Sequence, residues 1–136
     1  MWCGKAEVLK NGEDVSIIAI GKMVEKAIKI GKLLEQKNKS AQIINARFLK
    51  PLDEKTIIQS IQKTKFVVTI EDGLLKGGLG SAVTECIIKN CFSNVKIKTF
   101  GYDDTFVPHG KIEEIEEKYH LDVKSIFDTI QKELER

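Results

Sequence analysis

Residues 66–85 read FVVTIEDGLLKGGLGSAVTE. Phe66 to Ile70 form a continuous apolar run rich in β-branched residues, the pattern of a strand buried on both faces. Glu71, Asp72 and Gly73 are expected to end that strand. A glycine-rich turn follows. From about Gly80 to Asn90, the residues Ala82, Val83, Cys86 and Ile87 recur at helical spacing and are expected to face inward. Strand, glycine turn and helix make up the unit from which parallel sheets are assembled. The same unit can cradle a phosphate on the helix N-terminus.

The residues fail both phosphate templates. A Walker loop needs GxxxxGK[ST], and here Gly73 is followed by Gly78 and then Leu79, with no lysine in place. A dinucleotide fingerprint needs GxGxxG. Gly78 and Gly80 supply two glycines, but Val83 stands where the third belongs. Glu71 and Asp72 would also repel a phosphate approaching the helix N-terminus. Backbone N–H groups there could still hold a small anion or a partner's carboxylate. The residues favour the plainer reading, in which the glycines permit a sharp turn and close packing of helix on sheet.

Working outward, VSIIAI (15–20) and AQIINA (41–46) read as further strands, and VKIKT (95–99) alternates as an edge strand does. Between the first two lies a helix from Met23 to Lys37, with Val24, Ala27, Ile28 and Leu34 as its apolar positions. Pro51 pushes Lys50 out of helical geometry. Asp53 reads as the N-cap of a helix whose buried stripe is Ile57, Ile58 and Ile61. An acidic helix is expected around Ile112 to Tyr119. A last helix begins near Asp122 with Val123, Ile126, Phe127, Ile130 and Leu134 on one side. Strands alternating with helices imply right-handed crossovers and a largely parallel sheet covered by helices. Asn11-Gly12 is a tight-turn signal, so residues 6–9 and 15–20 could form a hairpin.

The 136 residues suffice for one domain over 1–136. With 22 basic and 20 acidic residues, the net charge of +2 gives no electrostatic footprint for nucleic acid. No apolar stretch reaches the roughly 18–20 residues of a membrane span, and the N-terminus lacks a signal-peptide layout. Three cysteines without CxxC spacing argue against disulfides and zinc. A reducing cytoplasmic setting fits these features. The abrupt start at Met-Trp-Cys suggests a chain cut from something longer.

Only two of the basic residues are arginines, and Arg47 is the internal one. It follows a strand, so it belongs at the sheet's carboxyl edge, where open α/β sheets place their sites. Glu71 and Asp72 arrive at the same edge, so an ion pair with Arg47 is expected. That pair would either fix the loop or contact another domain or subunit. His109, after Pro108, lacks a nucleophile or second histidine to support acid–base work and reads as a surface or helix-entry residue. Cys86 reads as a core thiol. His120 reads as a helix C-terminal residue. Without a self-sufficient catalytic set, the residues favour a binding or assembly module over an enzyme.

NARFLKPLDE (45–54), EDGLLKGGLGSAV (71–83) and FVPHG (106–110), together with GKAEVLKNGEDVSIIAIG (4–21), resemble the C-terminal domains of the 1-deoxy-D-xylulose-5-phosphate synthase family. The strand–EDG–GGxGSA segment is shared more widely among transketolase-like C-terminal domains, including those of 2-oxoacid dehydrogenases. The other motifs narrow the resemblance. It implies a three-layer α/β/α sandwich with a five-stranded, mostly parallel mixed sheet, whose first strand lies antiparallel beside the third. It implies a thiamine-diphosphate and magnesium enzyme that joins pyruvate to glyceraldehyde 3-phosphate and releases carbon dioxide. The product feeds isoprenoid, thiamine and pyridoxal synthesis. The resemblance also implies a homodimer whose cofactor is held by two other domains, with no catalytic residue and no cofactor in this chain. By resemblance, Arg47, Glu71, Asp72, Gly77, Gly78, Gly80, Ser81 and His109 occupy motif positions as candidates for interdomain or anion contacts. A free-standing interaction module, or the corresponding domain of a 2-oxoacid dehydrogenase subunit, is the other reading.

Overall fold

A computed structural model describes residues 5–48, 52–74, 78–90, 92–102 and 121–135. Its strands are β1 (Glu7–Lys10), β2 (Val15–Ala19), β3 (Ala41–Asn45), β4 (Phe66–Leu74) and β5 (Lys96–Tyr102). Its helices are α1 (Met23–Glu35), α2 (Glu54–Thr64), α3 (Leu79–Lys89) and α4 (Val123–Leu134). The expected helix at 112–119 lies outside the described residues.

The strands form one sheet in the order β1-β3-β2-β4-β5. β2 pairs in parallel with β3 and β4, and β4 pairs in parallel with β5. β1 runs antiparallel to β3. The sandwich, the mixed sheet and the position of its antiparallel strand are those implied by the resemblance. The hairpin reading of Asn11-Gly12 is wrong. A Cβ on Gly12 would lie 2.2 Å from the carbonyl carbon of Ala41, so this glycine marks the place where the chain crosses against β3. Asp14 seals the crossing by accepting the Ser40 N–H at 2.7 Å. The β1–β3 ladder carries a register shift between Val8 and Lys10, which leaves Leu9 as the extra residue of a bulge.

All residues of β2 are buried, as a central strand covered on both faces requires. One core joins Ile17, Ile43 and Val68 to α1 and α4, and the other joins Ile18, Ile44 and Val67 to α2 and α3. Each fully buried isoleucine contributes on the order of 1.5–3 kcal/mol. The α1 face is rotated from the expected one. Ala27, Ile30, Gly31 and Leu34 are buried, while Ile28 is 37% exposed. Gly31 packs closely on β3 in this orientation, since a Cβ there would stand 3.1 Å from Ile43 Cδ1.

On α2, Ile57 and Ile61 are buried as expected, but Ser60 and Thr64 are buried in place of Ile58. They belong to a chain of hydroxyls. The Thr64 Oγ1–Ser16 Oγ contact is 2.7 Å and the Ser16 Oγ–Ser60 Oγ contact is 2.5 Å. Ser60 Oγ donates to Gln42 Oε1 at 2.6 Å. Ser16, Ser60 and Thr64 therefore each have a hydroxyl partner, which removes most of the penalty for burying them.

Candidate functional site at the carboxyl edge of the sheet

β4 does not stop at Glu71. It continues to Leu74, opposite Tyr102, with a register irregularity after Ile70. The longer strand has a partner because β5 itself runs three residues past the expected end at Thr99. Beyond the irregularity Glu71 is only 4% exposed. Its Oε1 accepts the Leu79 N–H at 2.9 Å and its Oε2 accepts the Gly80 N–H at 2.8 Å. Gly78, the N-cap residue, has an extended backbone and no side chain with which to cap α3. The carboxylate of the preceding strand does that instead, placing negative charge where the helix dipole favours it. Burial pushes the Glu71 carboxyl up. The two N–H bonds oppose that shift and the neighbouring Asp72 charge adds to it, and the net position is above the ordinary carboxylate range.

Gly80 is the packing glycine of the turn. A Cβ there would meet Thr99 Cγ2 at 2.8 Å and Thr69 Oγ1 at 3.2 Å. Thr69 Oγ1 is buried and, among the described residues, has no hydrogen-bond partner. Gly80 and Ser81, with Thr84, Glu85 and Thr99, line an open cavity of about 340 Å³. Asp72 is exposed and pairs with Lys22 at 3.3 Å.

Arg47 is not paired with Glu71 or Asp72, contrary to expectation. Both acids are engaged elsewhere, one by α3 and the other by Lys22. Arg47 is exposed at the end of β3 with a φ of 63°. Its N–H donates to Asn45 Oδ1 at 3.0 Å, and its guanidinium lies 5.7 Å from the centroid of the Phe48 ring. Gly77 and His109 lie outside the described residues. The sheet edge therefore gathers Arg47, Glu71 and Asp72, and the α3 turn adds Gly78, Gly80 and Ser81. Sequence reasoning missed Lys22, Asn45, Thr69 and Thr99. Only Lys22 carried a signal, since it follows Gly21, which closes β2.

This arrangement holds charges and packs a helix. Among the described residues, no group of three or more His, Cys, Asp or Glu could hold a metal. Cys86 is 2% exposed; burial raises its thiol pKa and the Glu54 charge raises it further, so it is a core thiol. A diphosphate group does not fit at the glycine turn, because Glu71 already occupies the N–H groups that would receive it.

Residues 4–126 match the transketolase C-terminal domain family. The chain belongs to that family. Among its curated relatives are 1-deoxy-D-xylulose-5-phosphate synthases. That of Halothermothrix orenii is 42% identical over 129 residues, covering 95% of this chain and 20% of the relative. That of Desulforudis audaxviator is 38% identical over 130 residues, covering 96% and 20%. That of Clostridium tetani is 37% identical over 129 residues, covering 95% and 21%. The chain thus spans about a fifth of the length of these relatives, and its likeness is to their C-terminal domains. A solved structure described as a split gene transketolase, inactive beta4 tetramer, superposes with a TM-score of 0.89 at 34% identity, covering 98% of this chain and 43% of that one. In this transketolase C-terminal domain the glycine turn is a structural joint closed by Glu71.

Proposed function

We propose that the chain serves as the C-terminal domain of a 1-deoxy-D-xylulose-5-phosphate synthase, where it packs against the cofactor-binding domains and supports assembly of a homodimer. In this reading the complete cytoplasmic enzyme condenses pyruvate with glyceraldehyde 3-phosphate on thiamine diphosphate and magnesium. Carbon dioxide is lost, and the product serves isoprenoid, thiamine and pyridoxal synthesis. The observation that carries the reading is the match of about 95% of this chain to about 20% of the synthases. It is supported by the glycine turn, where Glu71 fills the N–H pair that a diphosphate would need. Cofactor binding then falls to other domains. Arg47, Asp72, Ser81 and His109 are candidates for contacts with those domains. Glu71, Gly78 and Gly80 would act indirectly by holding the edge in shape.

The test is a turnover assay with thiamine diphosphate, magnesium, pyruvate and glyceraldehyde 3-phosphate. The chain alone is expected to form no product. A polypeptide carrying the two upstream domains is expected to form 1-deoxy-D-xylulose 5-phosphate. Turnover by the chain alone at the rate of the longer polypeptide would refute the division of labour. No turnover by the folded longer polypeptide would refute the activity.

A further inference from the structure

Arg47 sits in a backbone conformation that arginine rarely adopts. The Phe48 N–H donates to the Ala46 carbonyl at 2.6 Å across Arg47, whose φ is 63°. A bond between residues two apart around a positive φ makes the rarer, strained form of the γ-turn. Among the described residues, the other non-glycine positions with positive φ are Asn38, Asn94 and Lys65. Asparagine tolerates that region, and Lys65 is the left-handed cap that ends α2. Neither explanation covers Arg47.

The strain is held in place from both sides. Asn45 Oδ1 takes the Arg47 N–H at 3.0 Å, and the Ala46 N–H donates to the Ala19 carbonyl at 2.9 Å, which ties the turn to β2. The result is a guanidinium projecting from the carboxyl edge beside a half-buried aromatic ring. Among the described residues it has no acidic partner. Strained conformations kept by their surroundings cluster where function needs them. Arginine and aromatic side chains are also each enriched in protein interfaces.

We infer that the strained turn Asn45–Phe48 presents Arg47 as an anchor for an aspartate or glutamate on the adjoining domain of the complete enzyme. This rests on the domain-packing reading above. The guanidinium's planar fork matches one carboxylate through two parallel bonds, which lysine cannot do. Only two of the 22 basic residues of the chain are arginines, and Arg47 is one of them. A phosphate is the poorer match. The nearby α3 N-terminus is filled by Glu71, Lys22 is engaged by Asp72, and both acids would oppose a multiply charged anion.

The test compares Arg47→Gly and Arg47→Lys in the 136-residue chain and in the complete enzyme. Glycine relieves the positive φ, so Arg47→Gly in the chain should raise Tm by a degree or more. In the complete enzyme it should increase proteolytic cleavage between the domains at least fivefold, and Arg47→Lys should recover less than half of the protection. A lower Tm for Arg47→Gly in the chain, or unchanged cleavage in the complete enzyme, overturns the inference. A raised KM for glyceraldehyde 3-phosphate with intact interdomain protection overturns it in favour of substrate phosphate. A tenfold weaker dimer with intact protection overturns it in favour of a second subunit. The cleavage readout does not depend on turnover, so failure of the proposed activity and failure of this anchor are seen separately.

Discussion

Gly80 and Glu71 solve one problem with two side-chain choices. The helix must start close to the sheet, which excludes a Cβ at Gly80, and its first N–H groups must be satisfied, which the glycines cannot do for themselves. Glu71 satisfies them across the turn. Gly80→Ala should therefore destabilise the chain by about 1–3 kcal/mol through overpacking against Thr99, read as a lower midpoint in urea with an unchanged slope. An unchanged midpoint would mean that Thr99 moves aside freely. The packing role of Gly80 was legible in the sequence, because both phosphate templates lacked a required residue. The role of Glu71 was not. Its partners lie eight and nine residues away, and only the closed turn brings them within reach. The expected Arg47 ion pair failed for the same reason: sequence put the charges on one edge but could not show that Glu71 and Asp72 already had partners.

At the scale of elements, two helices begin alike. Asp53 caps α2 by accepting the Thr56 N–H at 3.2 Å, and its other oxygen accepts the Ala6 N–H at 2.8 Å. Asp122 caps α4 by accepting the Ser125 N–H at 3.1 Å. Burial alone would raise both carboxyls, but the hydrogen bonds outweigh it and both lie below the ordinary range. A lowered folded-state pKa means that the unfolded chain binds the proton more tightly. This stability is present above the ordinary aspartate value of about 4 and is lost as pH falls through the lowered one. Glu71 has the opposite sign. Its raised pKa favours the fold on acidification, and that contribution is lost as pH rises through the raised value.

Asp53→Ala should cost about 0.5–2 kcal/mol at neutral pH. Its stability should fall less than wild type between pH 5 and pH 3 in denaturant titrations. Glu71→Gln should make the acid loss steeper. Parallel pH profiles for all three proteins would refute these assignments. The Asp53 cap was readable because an aspartate stands at the head of an apolar helical period just after Pro51. Asp122 marked only the start of its helix, and its capping bond is seen in the structure alone. The α2 stripe was misread at Ser60 and Thr64, because hydroxyls count as outward-facing until the partners supplied by β2 and β3 are known.

For the whole molecule, the alternation of strands and helices was enough to give the class and most of the sheet. It could not place β1. Asn11-Gly12 invites a hairpin, and the decisive fact is a contact between Gly12 and the Ala41 backbone, far along the chain. Resemblance supplied what local pattern could not. The placement makes β1 an outer strand of the sheet, only four residues long. Its bulge at Leu9 bears on a solution of many molecules. A straight outer strand offers a row of unpaired N–H and carbonyl groups on which another chain can add. The bulge bends that row out of register, and Lys10, paired with Glu35, sets charge beside it. The chain should therefore stay dispersed when concentrated without its neighbouring domains, resisting the edge-to-edge growth that leads to fibrils.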